Sequence, residues 1–352
     1  MSRPPPSPRR NSSASKNSHH ERPSLGRTKV PQDQEHGFGA VIMNGKGGFL
    51  IPGLIDSNVR LTDCAYLLTL QKYGVTTALD MGTFPYGDVM KCGEHGVTDI
   101  QGSGAVGTVS GTKIGRIPGF PSDSFIPTPE AGRKFVAARI AEGVDYIKLV
   151  LDPLGPDDAT IKAIVKAAHE KGLQVIAEAE SYALYAQAAR TGIDIVTHAP
   201  IDKALDGAVI NNITSSDIKV VPSLLMMQST VNNTGEPFFM YTNTANSAKS
   251  LLQAGIPLAA GTESNESPYF PVNPPFGDSL HDELAMMVAA GFTPSQAIQA
   301  ATSVPASIFQ MDDRGAIKPG LRADMVMLSA DPTVDIRNTR NILKVWVEGI
   351  SR

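Results

Sequence analysis

The chain has 352 residues, of which 41% are hydrophobic and 19% are charged, which is enough apolar material for one large core or two modest ones. The net charge of −4 gives no reason to expect a nucleic acid or an anionic membrane as a partner. No run of about 18 apolar residues predicts a membrane span.

The first 36 residues differ from the rest of the chain. They are rich in Pro, Ser, Arg and Asn and almost free of large apolar side chains. Such a segment cannot bury enough surface to offset its ordering entropy, so we expect residues 1–36 to be a disordered tail. It lacks the apolar stretch of a secretory signal. Two cysteines, Cys64 and Cys92, cannot form a disulfide framework, so we expect inert thiols in a reducing compartment, the cytoplasm.

After the tail, short apolar runs alternate with helical patterns. The runs are rich in Val and Ile, which is typical of strands buried on both faces of a parallel sheet. Predicted strands are Phe49–Asp56, Val75–Met81, Val144–Leu151, Gln174–Ala179, Ile193–His198, Ile218–Pro222 and Ile256–Gly261. An eighth strand, between Val97 and Val109, is the least distinct because its segment is rich in glycine.

Helices are predicted between these strands. They are Thr128–Glu142, Asp157–Lys171, Ser181–Arg190, Tyr241–Ala254 and Ser279–Ala290. Four helices end at a glycine just before the next strand, at Gly143, Gly172, Gly192 and Gly255, which is typical of helix C-caps. Strands that alternate with helices predict a parallel α/β fold. A doubly wound open sheet has the same periodicity, but no glycine-rich dinucleotide loop favours it.

Both ends of the globular part carry strands without intervening helices. Apolar runs of this kind are Ala323–Leu328 and Ile342–Glu348. Together with Phe38–Met43 they could form a small β-domain. The sequence therefore predicts one large α/β unit and a small β-domain built from both chain ends.

Seven segments, in chain order, resemble the amidohydrolase superfamily. They read FLIPGLIDSNVRL, YGVTTALDMGT, DYIKLVLD, GLQVIAEAESYALYAQAARTGIDIVTHAP, IPLAAGTESNE, LHDELAMMVAAGFTPSQAIQAATSVPA and GAIKPGLRADMVML. Within the superfamily the chain is similar to the imidazolonepropionase- and prolidase-like branch. The resemblance implies a TIM-type (β/α)₈ barrel at residues 51–314, with the small β-domain at 37–50 and 315–352.

The chain departs from the family pattern where metal ligands are expected. The resemblance places Asn58 and Arg60 at two histidine positions, Glu178 at a third and Glu263 at an aspartate position. Lys148 and His198 keep the family residue, the lysine being one that is often carboxylated. Arginine has no lone pair for a metal, so Arg60 predicts that the more buried metal position is empty. The connection from Arg60 to Tyr73 is also short for this family.

Two charge states of this predicted cluster are open. With Lys148 as an ammonium, two positive charges balance Glu178 and Glu263 without a metal. With Lys148 carboxylated, one divalent ion such as zinc could be held by the carbamate, Glu178, His198 and Glu263. In either state Glu263, Arg60, Glu178 and Lys148 are the predicted catalytic residues.

The substrate pocket is predicted from neighbouring segments. Ser223–Asn243 is a long connection, and such loops shape the mouth of a barrel. Met226 and Met227 within it, together with Asn58 and His281, are the predicted pocket residues. Ordinary packing of this loop onto the barrel explains the methionines equally well. Asp80 is expected to orient neighbouring backbone.

Three functions follow from these residues. The first is hydrolysis of a C–N or C–O bond in a small molecule, with Glu263 as general base and either one metal or Arg60 as electrophile. The second is a metal-independent lyase, isomerase or cyclase, in which Glu178 or Glu263 moves protons and Arg60 stabilises an oxyanion. The third is a non-catalytic barrel used for binding. The sequence indicates neither the substrate nor an oligomeric state.

Overall fold

The computed structural model describes residues 43–270 and 272–352. The predicted tail at 1–36 and all but the last residue of the predicted strand Phe38–Met43 lie outside the described residues. The chain divides into two compact units, and Gly45–Arg352 forms the larger one.

The strands of the described residues form three sheets. They are β1 Phe49–Pro52, β2 Leu54–Val59, β3 Val75–Asp80, β4 Asp99–Gly102, β5 Ile147–Val150, β6 Val175–Glu178, β7 Ile195–Thr197, β8 Lys219–Val221, β9 Met325–Leu328 and β10 Ile342–Trp346. One parallel sheet has the order β2-β3-β4, and a second has the order β5-β6-β7-β8. The predicted parallel α/β architecture is therefore present.

Backbone pairing links the two parallel sheets. Three isolated parallel bridges join Gly107 to Leu149, Val220 to Leu258, and Val59 to Ser264. The first joins the segment after β4 to strand β5. The second joins β8 to residues near 258. The third returns from the same downstream segment to β2. Every residue of β2, β3, β5 and β6 is buried, which agrees with the near-continuous apolar runs in the sequence.

Helices lie between the strands. They are α1 Ala65–Lys72, α2 Tyr86–Met90, α3 Pro129–Glu142, α4 Asp158–His169, α5 Tyr182–Thr191, α6 Gly207–Ser215, α7 Leu224–Thr234, α8 Tyr241–Gln253, α9 Asp278–Ala289, α10 Pro294–Ala300 and α11 Ser303–Ile308. The side chains of Thr128, Asp157 and Ser181 cap the amino ends of α3, α4 and α5 by accepting backbone N–H groups. Gly143 and Gly192 end α3 and α5 in the left-handed conformation, as the sequence predicted.

The third sheet joins the start and the end of the larger unit. β9 pairs antiparallel with β1 on one side and with β10 on the other. The inward residues Ile51, Val326, Leu328 and Val345 belong to the same hydrophobic core as the parallel strands.

Two predictions about connecting segments are wrong. Cys64 and Cys92 are not inert thiols, because they form a disulfide that ties the residue before α1 to the segment after α2. The argument for a reducing compartment that rested on them loses its basis. Ser223–Asn243 is not a loop throughout, since α7 occupies most of it. The short connection from Arg60 to Tyr73 contains the single helix α1.

Within the described part of the chain, none of the helices combines the length and the apolar character that a membrane crossing requires.

Candidate active site

Five predicted site residues converge where parallel strands end. Arg60 follows β2, Lys148 lies in β5, Glu178 ends β6, His198 follows β7, and Glu263 lies in the segment that bridges to β2. Because parallel strands end at a common edge, side chains at these positions are brought together. His198 and Glu263 have φ of 69° and 57°, a left-handed conformation that non-glycine residues rarely adopt. Such backbone strain is typical of functional sites.

Arg60 binds both carboxylates through different nitrogens. Its Nε donates to Glu263 Oε1 at 2.5 Å, and its Nη2 donates to Glu178 Oε2 at 2.8 Å. The side chains of the three residues are 4–10% exposed, so the ion pairs are shielded from solvent. A Cβ at position 82 would lie 2.5 Å from Arg60 Nη1, and Gly82 therefore leaves the space that the guanidinium occupies.

Lys148 adds a second cation next to Glu178. Its Nζ lies 3.4 Å from Glu178 Oε2 and donates to Thr197 Oγ1 at 3.2 Å, and the side chain is fully buried. Glu178 Oε2 therefore faces both Arg60 and Lys148. The second carboxylate oxygen of Glu178 is left for other contacts.

His198 faces the remaining carboxylate oxygens. Its Nε2 lies 4.0 Å from Glu178 Oε1 and 3.7 Å from Glu263 Oε2, both beyond hydrogen-bond distance. Glu263 Oε2 and His198 Nδ1 are buried and make no hydrogen bond to a described residue. The Tyr185 hydroxyl donates to the His198 carbonyl oxygen and so holds the backbone at this position.

The charges of the cluster set its pKa values. Burial alone would raise the pKa of Glu263, but attraction by Arg60, His198 and Lys148 outweighs burial and lowers this pKa to about 2. The pKa of Glu178 is also lowered, because attraction by Lys148 and Arg60 exceeds the effect of burial. Burial lowers the pKa of Lys148 despite the neighbouring carboxylates. Both glutamates are therefore ionised at neutral pH.

One group of described residues has the geometry to hold a metal ion. It consists of Glu178, Glu180 and His198, whose candidate ligand atoms all lie within 4.8 Å of one another. The sequence analysis did not place Glu180 in the site. The signal was its position two residues after Glu178, since alternate residues of a strand share a face. An imidazole and two carboxylates whose ligand atoms approach one another this closely fit a divalent ion, because such atoms are its usual ligands.

A sequence model of the Amidohydrolase family matches residues 49–351. The chain belongs to the amidohydrolase family. Among curated relatives of this amidohydrolase, adenine deaminase from Lysinibacillus sphaericus is 39% identical over 71 residues, which are 20% of this chain and 11% of the relative. Imidazolonepropionase from Cutibacterium acnes is 39% identical over 84 residues, 24% of this chain and 20% of the relative. The matched segments thus span a fifth or less of these relatives.

Solved structures support the same fold. A Xaa-Pro dipeptidase with methionine bound in its active site superimposes with a TM-score of 0.73 and 19% sequence identity. The alignment covers 87% of this chain and 87% of the dipeptidase. Together with the observed parallel sheets and helices, this likeness indicates the TIM-like α/β fold of amidohydrolases.

Asn58 lies beside the charged cluster of this amidohydrolase but is fully buried. Its Nδ2 donates to Ser223 Oγ at 3.2 Å, and its carbonyl oxygen accepts the backbone N–H of Glu263. Asn58 therefore connects β2 to the segment that carries Glu263.

The other predicted pocket residues differ in their surroundings. Met226 and Met227 pack in a separate apolar cluster with Ile201 and Val272. His281 is the clearest correction, because its ring nitrogens lie 2.9 Å from Thr339 Oγ1 and 3.0 Å from the Tyr73 carbonyl oxygen. Both nitrogens are engaged at the start of α9, so the structure does not bring His281 to the charged cluster.

Asp80 has the backbone-orienting position that the sequence suggested. Its carboxylate accepts the backbone N–H groups of Leu61, Gly82 and Thr83 and the Thr83 hydroxyl. It thereby fixes the segments on either side of Arg60 and Gly82.

Proposed function

We propose that the protein is a hydrolase that cleaves an amide or cyclic amide C–N bond of a small molecule. One observation carries this proposal. Arg60 takes one oxygen of Glu178 and one of Glu263, while the other oxygen of each faces His198 Nε2. The site thus has a permanent cation on one side and an imidazole nitrogen with two carboxylate oxygens on the other. The relatives of this chain that act on C–N bonds support the same reaction class.

His198, Glu178 and Glu180 would hold one divalent ion such as zinc. When bound, such an ion polarises a carbonyl group and lowers the pKa of a water molecule toward neutrality. The Lys148 ammonium group pairs with Glu178 and donates to Thr197. In this proposal Lys148 positions Glu178 and is not a ligand.

Glu263 would accept a proton from the attacking water. Its low pKa keeps it ionised, and its Oε2 has no hydrogen-bond partner among the described residues. A carboxylate of low pKa is a weak base, so it takes the proton only as the new C–O bond forms. It then passes that proton readily to the departing nitrogen, which is far more basic.

Arg60 would hold the two carboxylates and stabilise negative charge on the substrate. Its Nε and Nη2 donate to the two glutamates, whereas its Nη1 makes no hydrogen bond to a described residue. A guanidinium N–H directed at a carbonyl oxygen strengthens its bond as that oxygen becomes negative. Arg60 therefore supplies a fixed positive charge that does not depend on protonation.

We further propose that eight strands close into a (β/α)₈ barrel at residues 51–314. The bridges from Gly107 to Leu149, from Val220 to Leu258 and from Val59 to Ser264 support closure. The sheet of β1, β9 and β10 supports a small β-domain that includes residues 315–352.

The test is metal analysis of the purified protein combined with hydrolysis assays. N-acyl amino acids, dipeptides and cyclic amides are offered, and released amine is measured. We expect about one zinc per chain and a loss of roughly 100-fold or more in kcat for Glu263→Gln. Glu170→Gln, at an exposed position, is the matched control and should keep wild-type activity. Wild-type turnover by Glu263→Gln, or no hydrolysis of any amide by zinc-loaded protein, would contradict the proposal.

A further inference from the structure

An apolar cluster adjoins the charged site. Val106, Ile114 and Val150 are buried in it, and Ile117, Phe120 and Phe270 are partly buried against them. We call these six residues the apolar wall. Val150 ends β5, two residues after Lys148, while most of the others come from the connection between β4 and α3. Phe270 comes from the segment after Glu263. The wall is therefore assembled from the end of β5 and from two connecting segments.

The apolar wall meets Arg60 at two points. The Phe270 ring lies over the guanidinium, with its centroid 5.0 Å from Arg60 Cζ. At position 82 an added Cβ would lie 2.5 Å from Arg60 Nη1 and 2.9 Å from Val106 Cγ1, so both side chains border the same small space. The guanidinium nitrogen that lacks a partner among the described residues thus lies at the edge of the apolar wall.

The exposed part of the apolar wall is aromatic and aliphatic. Phe120 packs edge-on to Phe84, with ring centroids 5.7 Å apart, and its ring centroid is 5.4 Å from that of Phe125. Rings held in this way offer faces and edges to a further ring at little entropic cost. The branched side chain of Ile117 is also partly exposed, and none of the six wall residues carries a charge.

We propose that the apolar wall binds an aromatic or branched apolar acyl group of the substrate, next to the carbonyl carbon that is attacked. This inference rests on the proposed hydrolase function. A carbonyl oxygen directed to Arg60 Nη1 places the adjoining acyl substituent beside Phe270 and Val106. The enzyme therefore selects amides of phenylacetyl-like or branched-chain acids over acetyl amides.

Binding and turnover are measured separately with amides that differ only in the acyl group. Titration calorimetry compares phenylacetamide with acetamide, and kinetics compare phenylacetyl with acetyl amides of one amine. We expect the wild type to prefer the phenylacetyl compound by about tenfold or more in both measurements, because burying a ring is strongly favourable. Phe270→Ala should reduce this preference about tenfold, whereas Phe270→Leu should keep most of it.

Phe238→Ala is the matched control, because Phe238 is 79% exposed on another loop, and its preference should equal that of the wild type. If Phe270→Ala does not fold, as judged by circular dichroism, Ile117→Ala replaces it. Equal affinity of the wild type for both amides, or an unchanged preference in the variants, overturns the subsite. A clear binding preference without turnover of any amide keeps the subsite and contradicts the hydrolase proposal. Turnover of amides without a preference for the phenylacetyl compound contradicts the subsite and keeps the hydrolase proposal.

Discussion

Arg60 is the residue on which the charge balance of the site depends. It is 7% exposed and bonded to two carboxylates, and Lys148 is the other buried ammonium or guanidinium group that contacts them. Removing one member of a buried ion network leaves the others without compensation, which costs more than the network itself contributes. Replacing Arg60 should therefore lower the free energy of unfolding more than replacing a surface arginine does.

Arg60→Gln should reduce the free energy of unfolding by about 3–5 kcal/mol at pH 7, because Glu178 and Glu263 then share a single buried cation. Urea denaturation followed by circular dichroism measures this change. Arg337→Gln is the control, since Arg337 is 78% exposed, and its effect should stay within about 0.5 kcal/mol. An Arg60 variant as stable as the control would show that the ion pairs are not structurally important.

The sequence could predict the residues of the charged cluster but not their contacts. The resemblance to the amidohydrolase superfamily identified Arg60, Glu178 and Glu263 as site positions. Glu180 was missed although it lies two residues after Glu178, and Phe270 was missed because the loop that positions it has no periodic pattern. The left-handed backbone at His198 and Glu263 likewise has no signature in residue type, since glycine is the usual marker of that conformation.

At the scale of elements, α7 shows how a distant residue stabilises a helix. The sequence analysis interpreted Ser223–Asn243 as a long connecting loop. In the structure the Glu283 carboxylate, on α9, accepts the backbone N–H groups of Leu224 and Leu225 at 2.9 Å and 2.8 Å. A cap contributed from 58 or 59 residues away cannot be recognised from local sequence.

Burial raises the pKa of Glu283 from 4.5 to about 8, although its two backbone hydrogen bonds oppose the shift. The native state therefore holds a proton that the unfolded chain releases above pH 4.5. Stability is full below that pH and is lost as the pH rises toward 8. Glu283→Gln should remove this loss, so its unfolding free energy relative to wild type should improve between pH 5 and 8 by on the order of 3 kcal/mol.

Urea denaturation at both pH values provides the comparison, with Glu170→Gln as the exposed control. Asp56, whose pKa burial raises to about 7, titrates in both proteins over the same range, and its charge contributes to the raised pKa of Glu283. A constant difference between pH 5 and 8 would mean that Glu283 does not hold the proton.

The disulfide is the second feature at this scale. Cys64 and Cys92 are 28 residues apart, and closing a loop of that length restricts the unfolded chain. The double variant Cys64→Ser, Cys92→Ser should lose about 3 kcal/mol of unfolding free energy, measured by urea denaturation. Alkylation of the native, untreated protein followed by mass spectrometry should find neither thiol labelled. Labelling of both thiols would show that the bond is absent in solution.

At the scale of the whole molecule, the alternation of strands and helices was sufficient to predict the parallel α/β architecture. β3, β6 and β7 lie within the predicted ranges, because strands buried on both faces have continuous apolar sequences. The segment near Leu258 was predicted as a strand, but it contributes isolated bridges. Its residues pair with two different neighbours, and short pairings of this kind depend on tertiary geometry that a hydrophobic pattern does not encode.

The single tryptophan of the chain tests whether the small sheet and the parallel strands unfold together. Trp346 lies in β10 and is 8% exposed. Because Gly45–Arg352 forms one compact unit, tryptophan fluorescence and circular dichroism should report the same urea midpoint. Separate midpoints would show that the sheet of β1, β9 and β10 unfolds as an independent domain.

The Arg60 guanidinium is covalently part of the chain, so it cannot be removed by a chelator, exchanged or lost by dissociation. Glu178 and Glu263 consequently keep a counterion during dialysis, in the presence of strong chelators and under metal starvation. Under the proposed function, loss of the bound ion would abolish turnover while leaving the polypeptide folded and able to bind the ion again.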